Sequence, residues 1–241
     1  MPESVGESRR HRYLQAMQVD VWLRRDRAPG LVERPAAPSV NGDATPAAEV
    51  TKMALAELEA TVAGCRLCDL HHGRTQTVFG TGDAQARCMI IGEAPGAEED
   101  ARGEPFVGRA GQLLNAMLRA IGLSREAVYI ANIIKCRPPK NRDPKPQETV
   151  ACCRYLRRQI TLINPRVILA VGRVAAQHLV GSTLAIGRMR GQSYFYESSD
   201  ADARIPIVVT YHPAYLLRSP LEKRKSWQDL KRVRQLLESC L

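Results

Sequence analysis

CMIIGEAPG, residues 88–96, is an apolar run that stops at a glycine and breaks into an acidic turn containing a proline. With no polar residue alternating in it, the run predicts a strand buried on both faces, because a half-exposed strand would alternate with period two. The same rhythm repeats outward. Residues 128–134, 167–171 and 205–211 are three further apolar runs. Helical spacing fills the gaps at 111–121 (Leu113, Leu114, Met117, Leu118, Ile121), at 147–163 after Pro146, and at 174–180. A helix at 54–64, with Leu55, Leu58 and Val62 on one face, precedes the first strand. Another at 222–238 closes the chain, with Trp227, Leu230, Val233, Leu236 and Leu237 at helical spacing. Apolar strands separated by helices predict an α/β fold, a three-layer α/β/α sandwich around a central, mostly parallel four-stranded sheet. Ligands of such sheets bind beyond the carboxyl ends of the strands.

The chain has 241 residues, and 35 Lys and Arg against 25 Asp and Glu give a formal net charge of +10. That balance points to a polyanionic partner, with nucleic acid the usual one. No apolar run is long enough to span a bilayer. Glu3, Glu7, Arg9 and Arg10 open the chain without an apolar signal core, so a cytoplasmic protein is expected. Residues 1–50 read as a separate extension. Tyr13, Leu14, Met17, Val19, Val21, Trp22 and Leu23 lie among arginines, a pattern for a short basic amphipathic helix that docks on a protein partner or folds back on the body. Residues 28–50 are rich in Pro, Ala and Gly and read as a linker, which leaves 51–241 as the main domain.

Seven cysteines in a chain with no export signal favour metal or cluster ligation over disulfides. Cys65 and Cys68 form C-x-x-C, and Cys136 and Cys152 bracket KCRPPKNRDPKPQETVAC, a loop stiffened by Pro138, Pro139, Pro144 and Pro146. Two thiolates from one turn and two from a distant loop make a four-sulfur set that serves zinc and iron–sulfur equally well. Cys153 is expected to point elsewhere on its helix, and Cys88 and Cys240 to be inert.

The first strand runs into GEAPGAEED, residues 92–100, and then GEPFVGRAG, residues 103–111. The segment lacks the Gly-Lys-Ser/Thr ending of a phosphate-binding P-loop and is not G-x-G-x-x-G. Its carboxylates suit holding a metal or orienting a water, or capping the next helix. The second strand ends near Asn132, whose amide offers a donor and an acceptor side by side. The fourth ends in YHPAYLLR, residues 211–218. Polar groups after three strands of one sheet converge on one pocket.

From about residue 54 onward the chain resembles the family 4 uracil-DNA glycosylases, the bacterial and archaeal class with an iron–sulfur cluster. The resemblance rests on CRLC at 65–68, GEAPG at 92–96, PFVGRAGQLL at 105–114, NIIKCRPPKNRDP at 132–144, the Ala151–Cys152 pair and HPAYLLR at 212–218. One departure is Arg154, where the family has Pro in an A-C-x-P-Y-L run. A related class that traps itself covalently has GEQPG and a basic insertion; Ala94 and the lack of an insertion set that activity aside.

The resemblance implies a monofunctional enzyme of base excision repair that acts as a monomer. It flips uracil out of single- or double-stranded DNA and hydrolyses its glycosidic bond, leaving an abasic site. It implies a 4Fe–4S cluster on Cys65, Cys68, Cys136 and Cys152, with the cluster loop on one side of the sandwich. Gly92, Phe106, Asn132 and His212 bind uracil: Phe106 stacks on the base, Asn132 reads its N3 and O4 edge, and His212 donates to O2. Glu93 places the attacking water and Glu99 closes the C5 edge. Leu216 or Leu217 is the wedge that fills the gap left in the stack, and Arg109, Lys135 and Arg218 contact phosphates. The rival reading is a cluster- or zinc-bearing nucleic-acid-binding protein that binds without releasing a base.

Overall fold

A computed structural model describes residues 47–197 and 204–239. Most of the N-terminal extension, including its arginine-rich helix pattern, therefore lies outside the described residues, as does Cys240. The described chain starts with α1 (Ala47–Val50) and α2 (Leu55–Ala63), followed by the short strand β1 (Thr81–Gly82), then β2 (Cys88–Gly92). Next come α3 (Ala97–Arg102), α4 (Arg109–Ala120), β3 (Tyr129–Asn132), α5 (Pro146–Ile163) and β4 (Val167–Val171). The order closes with α6 (Arg173–Val180), α7 (Ile186–Met189), β5 (Tyr194–Glu197), β6 (Arg204–Thr210), α8 (Pro213–Arg218) and α9 (Lys223–Glu238).

The strands form one sheet in the order β1-β3-β2-β4-β6-β5. The expected parallel four are its centre, with Gly92 level with Asn132 and Val171 level with Thr210. The sheet is wider than expected by two antiparallel edges, β1 on β3 and β5 on β6. β1 is too short to leave a pattern, and β5 (YFYE) is only half covered, so neither forms an apolar run. Every residue of β2, β3 and β4 is buried, which is why those runs show no alternation.

Alternate residues of each strand feed two cores. On one face Met89, Ile91, Ala131, Ile168 and Ala170 pack under α2, α5 and α6. On the other Cys88, Ile90, Ile130, Leu169 and Val171 pack under α4, α8 and α9. Burial of each Leu or Ile side chain here contributes about 1.5–3 kcal/mol. Val50, which the sequence pattern leaves in the extension, is 1% exposed and joins the first core. Arg158 of α5 also holds the Met53 carbonyl through Nε and Nη2, at 2.8 and 2.6 Å. No helix among the described residues is long and apolar enough to cross a membrane.

The chain runs from β2 out to β3, then crosses back to β4 on the other side of β2. The strand order therefore reverses at the carboxyl end of β2, where a crevice must open between diverging loops.

Candidate active site

A cleft of about 450 Å3 occupies that crevice; Glu93, Glu99, Phe106, Asn132 and His212 all line it. Of the predicted uracil-binding and catalytic residues, only Gly92 is absent from the cleft wall, and it acts from behind. A Cβ on Gly92 would stand 2.4 Å from Asn132 Oδ1 and 2.7 Å from Phe106 Cζ. Both side chains stand where they do because residue 92 has no side chain.

Asn132 ends β3 and is 2% exposed. Its Oδ1 is buried with no hydrogen-bond partner. An unpaired buried amide oxygen costs about 1–3 kcal/mol, so the position favours a ligand that brings an N–H. Phe106 is 6% exposed and has a positive φ of 55°. A bulky residue in that region is strained, and such strain gathers at binding sites. Its ring lies 5.6 Å from the His212 ring, inclined at 30°.

His212 follows β6 and caps α8: its Nδ1 accepts the Ala214 backbone N–H at 3.1 Å. A backbone amide can only donate, so Nδ1 carries no proton and Nε2 carries the single hydrogen. Burial, helped by Arg218 and opposed by Glu99, pushes the imidazolium down to about 4. His212 is thus a neutral N–H donor at physiological pH.

The two glutamates differ. Glu99 accepts the Gly96 amide on Oε2 at 3.1 Å, and the Val107 and Gly108 amides on Oε1 at 3.0 and 3.2 Å. It pins the acidic turn to the Phe106 turn, the capping duty weighed for this loop. Glu93 is half-buried and pushed up to about 7, first by burial and next by the Asp143 carboxylate, while Arg173 opposes.

Arg109, Leu217 and Arg218 are exposed together around a depression at the cleft mouth, with Ala110 and Ala214. Leu217 is 36% exposed and Leu216 1%. Leu216 is a core residue of the α4 face and not a wedge. The helical turn of α8 divides the pair by turning adjacent side chains to different faces. Leu217→Ala is expected to leave the melting temperature within a degree or two, while Leu216→Ala should cost about 2–5 kcal/mol of stability. Thermal melting checks both, and the reverse assignment of effects would overturn the division.

Lys135 is also corrected. It is 1% exposed, and its Nζ donates to the Asn132 carbonyl at 2.9 Å and Gln159 Oε1 at 2.6 Å. A lysine enclosed in this way cannot reach a phosphate; it braces the strand end that presents Asn132. Burial lowers it to about 8.

The cysteine set belongs to the first core. Cys136 and Cys152 are buried, and Cys65 and Cys68 pack against the same core. All four thus belong to one face of the sheet. Among the described residues no group of three or more His, Cys, Asp or Glu is placed to hold one metal ion. Arg74 donates to Cys136 Sγ at 3.1 Å, and the Lys135 amide to Cys152 Sγ at 3.3 Å. Cys153 turns away, its thiol on the Val150 carbonyl at 3.2 Å and its side chain lining a separate groove. Cys88 faces the opposite core, where burial pushes its thiol up to about 12. Arg154 keeps α5 regular, since it retains the backbone N–H that a proline would remove.

Sequence reading missed Arg74, Arg142, Asp143 and Glu148. Arg142 and Asp143 reach the cleft, and Glu148 clamps Arg142 at 2.8 and 2.5 Å. Arg74, Arg142 and Asp143 lie in polar loops, where charged residues carry no periodic signal, and Glu148 sits in the first turn of α5, where it reads as a helix-capping acid.

A family model of the uracil DNA glycosylase superfamily matches residues 79–231. The type-4 uracil-DNA glycosylase of Archaeoglobus fulgidus is 42% identical over 186 residues, which cover 76% of this chain and 92% of that protein. The type-4 uracil-DNA glycosylase of Thermotoga maritima is 45% identical over 159 residues, 66% of this chain and 80% of the relative. The type-5 uracil-DNA glycosylase of Thermus thermophilus is 37% identical over 118 residues, 43% of this chain and 53% of that one.

Proposed function

Because the chain belongs to the uracil-DNA glycosylase superfamily, and to its type-4 class, we propose that its cleft takes a uracil flipped out of DNA and that its own residues divide the work of releasing it. The enzyme hydrolyses the N-glycosidic bond between uracil and deoxyribose, a step of base excision repair. The observation that carries the assignment of roles is the buried, unpartnered Asn132 Oδ1 in a cleft shared with a neutral N–H donor, His212. Uracil offers an N3–H beside two carbonyl oxygens. Asn132 accepts from N3–H and donates to O4, while Phe106 stacks on the ring. Cytosine presents the reverse pattern and leaves the amide mispaired.

Bond cleavage builds positive charge on the sugar and negative charge on the departing base. His212, through Nε2–H, donates to O2 where that anion develops. Its neutrality helps, because the hydrogen bond strengthens as charge appears without an ion pair in the ground state. Glu93 orients the attacking water, and Glu99, locked by three amides, shapes the wall near C5 against thymine. Leu217 fills the gap in the stack, and Arg109 and Arg218 meet the phosphates, which makes binding salt-dependent. The enzyme stops at the abasic site, since no lysine among the described residues lines the cleft and Lys135, which follows Asn132 by three residues, is enclosed.

The four cysteines suit a 4Fe–4S cluster. In a cubane each thiolate binds its own iron, so neighbouring sulfurs need not converge on one point. Burial raises the Cys136 and Cys152 thiols, and Arg74 and the Lys135 amide, donating to those two sulfurs, oppose that rise. Cys65, Cys68, Cys136 and Cys152 would hold the cluster, which would then crosslink the loop between Cys136 and Cys152 to the Cys65–Cys68 turn. The expected result is brown protein with about four irons per chain and loss of colour in Cys136→Ala but not Cys153→Ala. Colourless protein with one zinc would overturn the cluster. Incubation with a uracil-containing oligonucleotide, followed by alkaline cleavage, tests the activity: strand scission at uracil supports it, and binding without scission supports the rival binding-protein reading.

A further inference from the structure

We propose that Asp143 is the positioning partner of Glu93: its carboxylate, anchored by Arg173, holds the Glu93 carboxyl at the cleft wall and sets the pH at which Glu93 becomes free to orient water. This rests on the reading of Glu93 given above. Asp143 lies in the proline-rich loop, next to Arg142, which the buried Glu148 clamps through both terminal guanidinium nitrogens, Nη1 and Nη2. The loop thus delivers Asp143 into the same cleft as Glu93. Arg173, the first residue of α6, comes from the far side of the switch point and pairs with Asp143 Oδ2. Its other Nη also donates to Gln177 Oε1 at 3.2 Å, which keeps the guanidinium in place. The Glu93 and Asp143 carboxyls line the same cleft, close enough for a hydrogen bond between them.

Two carboxyl groups can share a hydrogen bond only while one of them is protonated. Asp143, paired with Arg173, is the better acceptor, so Glu93 carries the proton. The charged groups acting on Glu93 are Asp143 and Arg173, and Glu99, Arg142, His212 and Arg218 line the same cleft. When the proton leaves, repulsion from Asp143 frees the Glu93 carboxylate toward the water site. The wild-type excision rate should therefore rise with pH through a midpoint near the value of about 7 at which Glu93 ionises. His212 cannot supply this limb, because it is already neutral above about 4.

The test is the pH dependence of single-turnover excision, at low and high salt, in four proteins. Asp143→Asn removes the repelling charge and supplies an amide donor, so its midpoint should move to lower pH by roughly half a unit to one unit. Arg173→Gln removes the opposing cation, so its midpoint should move to higher pH. Both shifts should shrink as salt rises, since the Asp143 and Arg173 side chains are 62% and 49% exposed. An exposed pair contributes little to stability, so both variants should fold, and thermal melting checks that. Glu93→Gln should be slow and lose the limb altogether. If Glu93→Gln loses the limb while the other two midpoints stay put, Asp143 has no positioning role and the reading of Glu93 stands. If Glu93→Gln keeps rate and limb, the reading of Glu93 falls and the role of Asp143 with it.

Discussion

The His212→Ala variant is expected to excise uracil in a single turnover roughly 10²–10³-fold more slowly than the wild type, the usual cost of removing a donor to a developing oxyanion. Its affinity for uracil-containing DNA should barely change, because the charge that His212 meets appears only in the transition state. The structure sharpens the expectation in two ways. With Nδ1 engaged by the Ala214 amide, Nε2 is the nitrogen left to donate, and burial with Arg218 keeps the ring neutral above about 4. The loss should therefore be nearly constant with pH across the range in which the enzyme works, in contrast to the limb assigned to Glu93. The substitution also removes the cap of α8, which costs about 1 kcal/mol of stability. A small fall in melting temperature should accompany the kinetic defect without explaining it. Near-normal chemistry in His212→Ala would make His212 a capping residue alone.

Asn132→Asp is expected to weaken uracil excision by roughly ten- to a hundredfold, since mispairing a buried polar group costs about 1–3 kcal/mol. The carboxylate still accepts from N3–H, but it repels O4, to which the amide donates. Excision of cytosine should fall less or rise, because its exocyclic amine donates to a carboxylate; its N3 needs a proton on one oxygen. The ratio of uracil to cytosine excision is thus the decisive readout. Asn132 has 2% exposure and its peptide carbonyl is held by Lys135, so the backbone should stay in place. Unchanged uracil rate and unchanged selectivity would show that the orphaned Oδ1 reads no base.

The central layer of the fold was legible because β2, β3, β4 and β6 are buried along most of their length and so read as unbroken apolar runs. The helix limits followed from periodicity to within a residue or two at α2, α5 and α9. β1, β5, α3, α7 and α8 were not legible, being short or half-covered. The motif residues Glu93, Glu99, Phe106, Asn132 and His212 could be named from sequence, since each follows a strand or the turn beyond it, and strand ends share one edge of a parallel sheet.

By itself the sequence determined the α/β class, the strands that form the parallel centre, the four-cysteine set and the residues that reach the switch point. Each of these is written in local order: an apolar run, a spacing, a motif after a strand. Only the tertiary structure decided what each side chain faces. It buried Lys135 against Gln159 and Leu216 under α4, although both sit in basic or exposed-looking motifs. It gave Glu99 three amides and Glu93 a carboxylate neighbour, separating two glutamates that the sequence presents alike. It brought Asp143 and Arg173, thirty residues apart, to one ion pair beside Glu93. Burial, tautomer and ionisation depend on neighbours from distant segments, and those neighbours exist only after the sheet has closed its two cores and the loops beyond it have met.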